Sequence, residues 1–203
     1  MSPRFVLVNM GADGPAACVN KGFGQALDGQ VLTRARRGDG AAHAAIYRVY
    51  SRACYNLALR ILGEPAAAED VVQDVFLRMM DTVAGFRGDA PFGAWLKRMT
   101  ANATIDVIRR NKRFDGEDAI DDLEASQAPG VSADDAVDAW ALLMRLGPRS
   151  RAVVLLHEME GYTHKELSEL FGQSESYSKS VLARALKRLD SIAHAADRSG
   201  EVK

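Results

Sequence analysis

Cysteine is nearly absent from this 203-residue chain: Cys18 and Cys54 are the only two. A pair of thiols supplies no disulfide framework of the kind small secreted domains need. There is no CxxC, and His43, His157, His164 and His194 are scattered, so no zinc-ligand spacing is spelled out. Long apolar runs are missing too. Residues 5–8 are apolar, but a signal peptide needs roughly 7–15 such residues and a membrane helix about 20. Neither G-x-x-x-x-G-K-[ST] nor G-x-G-x-x-G occurs, and no His stands in a pattern with Ser or Cys that suggests a nucleophile. The expectation is a cytoplasmic chain with free thiols, no metal, no cofactor and no catalytic site.

Net charge is the other thing lacking. Lys and Arg total 26 against 27 Asp and Glu, a formal charge of −1. Taken whole, that argues against a nucleic-acid binder, which usually carries a basic excess. By segment the sum dissolves. Residues 31–60 carry +5, 61–90 carry −4, 91–114 carry +5 and 115–139 carry −9. Neutrality is the cancellation of two basic blocks by an acidic helix and an acidic stretch.

What is present is helical periodicity. Residues 1–30 hold five glycines and no sustained pattern, and are expected to be a flexible extension. From Val31 apolar residues recur at steps of three and four, interrupted at Gly38-Asp39-Gly40. Gly63 and Pro65 mark a stop and a restart. The next helix, about 66–81, turns Val71, Val72, Val75, Phe76, Met79 and Met80 inward and Glu69, Asp70, Gln73, Asp74 and Arg78 outward. After a Gly-rich loop, a helix over about 91–113 has Phe92, Trp95, Leu96, Met99, Ala103 and Val107 as its inner stripe. Arg98, Asn102, Asp106, Arg109 and Arg113 lie on another face, with Arg110 in the last turn. Residues 115–135 are acidic, contain Pro129-Gly130 and keep no period, which predicts an extended, self-repelling linker. No strand alternation longer than four residues occurs. The fold expected is all-α: two small helical domains, 31–114 and 136–195, joined by the acidic flexible linker, with a tail over 196–203.

The second domain contains a compact signature. Thr163 and Glu166 match a capping box, Gly172 turns the chain, and Ser174 caps a longer helix reaching about Ala195. A short helix, a glycine turn and a longer helix is the helix-turn-helix plan. The longer helix has no acidic residue between Ser176 and Leu189, while Lys179, Arg184, Lys187 and Arg188 supply positive charge. A phosphate-contacting face is one reading; a solvated face is the other. The basic end of helix 91–113 likewise reads as a nucleic-acid contact or as complement to the helix dipole, and Trp95 as base-stacking or core.

The segment 68–78, AEDVVQDVFLR, resembles the most characteristic stretch of the extracytoplasmic-function group of sigma factors in the sigma-70 family. Further pieces fall in the same order: Arg37-Gly38-Asp39 with Ala42 and Tyr47; Trp95-Leu96-Lys97-Arg98, Asn102-Ala103, Ile105-Asp106 and Arg109-Arg110; then Gly161-Tyr162-Thr163, Glu166-Leu167, Gly172, Ser174, Lys179-Ser180, Leu182 and Arg184-Ala185. The resemblance implies a non-enzymatic subunit that binds core RNA polymerase through its clamp coiled coil and flap, recognises promoter DNA at the −10 and −35 elements, promotes melting and is held by an anti-sigma factor. It assigns Glu69, Asp70, Gln73, Asp74 and Arg78 to polymerase. Trp95, Arg98, Asn102, Asp106, Arg109, Arg110 and Arg113, with the loop before them, go to the −10 element and a base flipped from the melted strand. Ser174, Ser176, Tyr177, Lys179, Ser180, Arg184 and Lys187 go to the −35 element. Departures exist: Val181 replaces a common Arg, Tyr177-Ser178 replaces Thr-Val, and Gly147 precedes Pro148 where Leu is usual. Two rival readings remain open on the residues alone. One is a conventional helix-turn-helix regulator that dimerises through 31–114, and the other is a mimic that sequesters an anti-sigma factor.

Overall fold

A computed structural model describes the backbone of residues 22–114 and 139–200 and the side chains of 22–111 and 140–194. The expected linker at 115–135 lies outside the described residues. The chain divides into two compact units on either side of Asn111 and Lys112, and among the described residues there is no strand.

The first unit is built on helices α1 (Gly29–Ala35), α2 (Gly40–Leu62), α3 (Pro65–Thr82) and α4 (Phe92–Phe114). Asp39 starts α2 by accepting from the Ala41 and Ala42 amides at 2.8 and 3.2 Å, satisfying donors that no earlier turn can reach. The hydrogen bond from Arg34 at 2.7 Å, reinforced by the amides, holds the Asp39 carboxyl below its ordinary range. At the other end Gly63 takes φ 79° and its amide closes on the Leu59 carbonyl, a left-handed cap that a side chain would strain. Pro65 then occupies the first turn of α3, where its missing N–H is no loss. So short a connection makes α2 and α3 a helical hairpin.

Between them lies the core: Ile46, Tyr50, Cys54 and Ala58 of α2 meet Ala68, Val71, Val75 and Met79 of α3, with Phe92, Leu96 and Ala103 of α4. Helix α4 is buried more widely than its expected stripe. Thr100, Ala101, Thr104, Ile105 and Ile108 are buried as well, while Trp95, Met99 and Val107 are only half-buried. The two threonines escape a polar-pattern reading because each hydroxyl donates to the carbonyl one turn back, Leu96 and Thr100. Met80, expected inward, is 40% exposed.

The extension expected over 1–30 is corrected at its end. Residues 22–24 form a 3-10 turn, and Phe23 and Leu27 pack on the core. The Tyr50 hydroxyl donates to the Gln25 carbonyl at 2.6 Å. Two apolar residues among glycines make too little pattern to read, yet they find the core once α2 and α4 are assembled.

The second unit comprises α5 (Ala139–Met144), α6 (Pro148–Val154, widening into a π-helical turn over Leu155–Met159), α7 (His164–Phe171) and α8 (Glu175–Gly200). Thr163 and Glu166 form the capping box, with both reciprocal hydrogen bonds in place. Gly172 at φ 62° closes α7. Helix α8 continues to Gly200, beyond the expected end near Ala195, since no proline or glycine interrupts it earlier. Leu143, Leu146, Val153, Leu156, Leu167, Phe171, Val181, Leu182, Ala185 and Leu189 fill the core. Arg151 is buried there too. Its Nη1 reaches the Leu146 carbonyl at 3.5 Å, and burial pushes its pKa down to about 10.

Candidate functional site

In the first unit, α4 carries Arg98, Asn102, Arg109 and Arg110 on exposed positions, an outward face opposite a buried one. Asp106 stands on that face between two arginines: Arg109 at 3.4 Å and Arg78 of α3 at 3.9 Å. Its carboxylate therefore faces α3 across an exposed ion pair of little energetic weight. Trp95 is half-buried, its ring 5.3 Å from those of both Phe86 and Phe92. Arg113 lies in the last turn of α4, and its side chain is outside the described residues. Directly before α4, residues 87–91 are exposed, while Phe86 and Phe92 on either side are buried in edge contact at 5.4 Å. An exposed loop thus stands on a buried aromatic base beside a basic helix face.

In the second unit, α8 lies opposite its own core. Ser178, Val181, Leu182, Ala185 and Leu189 point inward, so the helical period places Ser176, Ser180 and Lys187 outward, flanked by Lys179 and Arg184. All five are exposed, as is Ser174, whose Oγ accepts from the Tyr177 amide at 3.1 Å. This is the longer helix of a helix-turn-helix with a donor-rich, acid-poor face (Glu175 alone is acidic, 4.0 Å from Lys179). Tyr177 is placed differently from its companions. It is half-buried, its hydroxyl accepts from Arg149 Nη1 at 3.0 Å, and the Arg149 guanidinium lies over the Tyr177 and Phe171 rings at 5.6 and 5.9 Å. Val181, which departs from the family's common Arg, is a core residue.

On α3, Glu69, Asp70, Gln73 and Arg78 are exposed and Asp74 half-buried. Beside them runs a groove of about 760 Å³ between α2 and α3, lined by Tyr47, Arg52, Tyr55, Gln73, Leu77 and Met80 among others. Tyr47, Leu77 and Met80 are 49%, 50% and 40% exposed. This apolar strip escaped the reading of α3 as an acidic-polar outer face. Leu77, one apolar residue within that face, is the signal that was there to find. Exposed apolar residues grouped in a groove mark an interaction surface.

The scattered histidines include one pair. His157 and His164 stack with centroids 4.4 Å apart. His164 Nδ1 lies 3.0 Å from Ser178 Oγ on α8, and His157 Nδ1 lies 2.7 Å from the Tyr162 carbonyl. Burial, then the neighbouring His157 and Lys179, lower the His164 pKa from its ordinary value of 6.5.

Comparison with known proteins covers most of the chain. Residues 46–114 match the family description Sigma-70 region 2, and residues 137–189 match Sigma-70, region 4. The ECF RNA polymerase sigma factor SigM of Mycobacterium tuberculosis is 30% identical over 175 residues, 85% of this chain and 89% of its own length. The RNA polymerase sigma-H factor of Pseudomonas aeruginosa is 24% identical over 180 residues, 82% of this chain and 93% of its own. Among solved structures, CnrH, described in complex with the cytosolic domain of CnrY, shares the fold with a TM-score of 0.50 at 23% identity, covering 82% of this chain and 96% of that one. With the exposed basic faces of α4 and α8 each falling within a matched region, the chain belongs to the extracytoplasmic-function sigma factors of the sigma-70 family, the subunits that direct RNA polymerase to promoters and start transcription.

Proposed function

We propose the following division of labour. The α4 face, with Arg98, Asn102, Arg109, Arg110 and Arg113, and the loop over 87–91 engage the −10 element and capture a base from the melting strand. Trp95 forms the floor of that site rather than a free stacking surface, and Asp106 holds Arg109 and Arg78 in place. The outward face of α8, with Ser174, Ser176, Lys179, Ser180, Arg184 and Lys187, enters the major groove at the −35 element, and Tyr177 positions the start of that helix through Arg149. Glu69, Asp70, Gln73 and Asp74, together with the apolar groove of Tyr47, Leu77 and Met80, dock on the clamp coiled coil of core polymerase. The protein acts in the cytoplasm, performs no catalysis itself and is restrained by an anti-sigma factor.

The observation that carries this reading is one acid-poor or basic helical face on each unit, with the acidic side chains of α3 and the apolar groove between α2 and α3 set apart from it in the first. Such faces supply phosphate contacts for position and a few side chains for base edges. In vitro transcription over a randomised promoter library tests it. Core polymerase with this chain is expected to select templates that share two sequence elements. Initiation without selection, or tight operator binding by the chain in the absence of polymerase, contradicts the proposal.

A further inference from the structure

The loop assigned above to base capture has two ends, and both are held by residues that precede the main helices. Where the chain leaves the core at Phe86, Arg36 grips it twice. Its guanidinium lies over the Phe86 ring at 5.8 Å, and its Nη2 donates to the Phe86 carbonyl. Arg36 is the residue that closes α1, and it sits at the surface. Where the chain re-enters the core, at the first turn of α4, Gly93 lies against the 3-10 turn of the N-terminal segment. A Cβ added at Gly93 would stand 1.9 Å from the Phe23 carbonyl oxygen and 3.1 Å from the Tyr50 ring. Tyr50 in turn donates to the Gln25 carbonyl and lies 5.8 Å from the Phe92 ring.

The loop has no hydrogen-bonded ladder of its own. Its described internal contact is an exposed ion pair, Arg87 with Asp89 at 3.3 Å, which contributes little to order. A loop of this kind presents a formed pocket only if its ends are fixed, because ordering it during binding subtracts from affinity and from discrimination. We propose that Arg36 and Phe23 form a brace that positions the 86–91 loop, making both of them specificity-determining positioning residues for the −10 element. The proposal rests on the reading of that loop as the base-capturing element. Arg36 suits the task because one planar guanidinium can stack on a ring and donate to a carbonyl at once. Phe23 suits it because its ring joins the core while its carbonyl is sterically keyed to a residue without a side chain.

The test uses the full chain with core polymerase. Transcripts are counted from one promoter, from its single-base variants across the −10 element, and from its single-base variants across the −35 element. Arg36→Ala and Phe23→Ala are each compared with the wild type. The expected result is a loss of about tenfold in discrimination at one or two −10 positions, the scale of one hydrogen bond to a charged group. Discrimination at −35 and affinity for core polymerase stay unchanged. Gly93→Ala, which displaces the Phe23 carbonyl from the other side, is expected to reproduce the −10 defect. Equal loss on every promoter variant, or unchanged −10 ratios in both Arg36→Ala and Phe23→Ala, overturns the brace. A wild-type chain that fails to discriminate among −10 variants overturns the loop assignment beneath it and is recognised without any mutant.

Discussion

Tyr177 and Arg184 lie on the same flank of α8 by spacing, and the family resemblance implies a DNA contact for both. The structure gives them different surroundings. Tyr177 is engaged by Arg149, whereas Arg184 stands at the surface. Replacing Arg184 with Ala is expected to cost about 1–3 kcal/mol of promoter binding and to relax one −35 position if it reads a base edge. Tyr177→Phe is expected to lower stability by about 1 kcal/mol through the lost hydrogen bond, with −35 selectivity retained because the Arg149 guanidinium still lies over the ring. Promoter-library transcription and denaturant unfolding separate the two. His164 makes a further prediction. Its charged form is disfavoured by burial and by His157 and Lys179, against partial compensation from Glu175 and Glu158. Its folded pKa therefore lies below its unfolded value, so the unfolded chain binds the extra proton first. Stability of the second unit should fall as pH drops through and below about 6.5, and His164→Gln should flatten that dependence in thermal unfolding. The exposure of Arg184 was legible in the sequence, but the histidine pair was not, because a ring stack between residues seven apart depends on the π-helical turn that contains His157 and on the left-handed turn at Gly161.

At the scale of elements, most boundaries followed from local chemistry. Gly63 and Pro65, Thr163 and Glu166, and Gly172 stop or start helices by backbone geometry and capping, which act over a few residues and so are written locally. Thr163→Ala should cost about 1 kcal/mol by denaturant unfolding, the usual worth of such a cap. What the pattern mistook were faces decided at a distance. Thr100 and Thr104 look polar but are buried because they lie on the side of α4 turned to the core, and their hydroxyls are satisfied within the helix. Met80 looks apolar and inward, yet it lines the open groove. On α3 the prediction is twofold. Charge reversal at Asp70 and Asp74 is expected to weaken core polymerase binding, more so at low salt. Leu77→Asp is expected to weaken it at any salt, since it removes apolar contact. Binding measured at two ionic strengths checks both.

For the molecule as a whole, the formal charge of −1 conceals segments of opposite sign. The basic block at 91–114 lies on α4, proposed to meet DNA, the one at 31–60 lies on α1 and α2, and the acidic block at 61–90 contains α3 and the loop that follows it. Domain content was legible because two ordered series of motifs, not one, carried it. The approach of residues 22–28 to the first unit was not, because that contact depends on Gly93, seventy residues along the chain from Phe23, offering bare backbone.

Cys54 gives the first unit a built-in clock. Its thiol is fully enclosed among α2, α3 and α4, and burial pushes its pKa up to about 11. Thiolate is the nucleophile that attacks alkylating reagents, so the native chain should be silent at this position and react only when that core opens. Mass-resolved labelling of Cys54 against time then reports how often the unit comes apart, free or bound to polymerase, with the native side chain as the reporter. Labelling at the rate of an exposed thiol would show that the core around α2 does not stay closed.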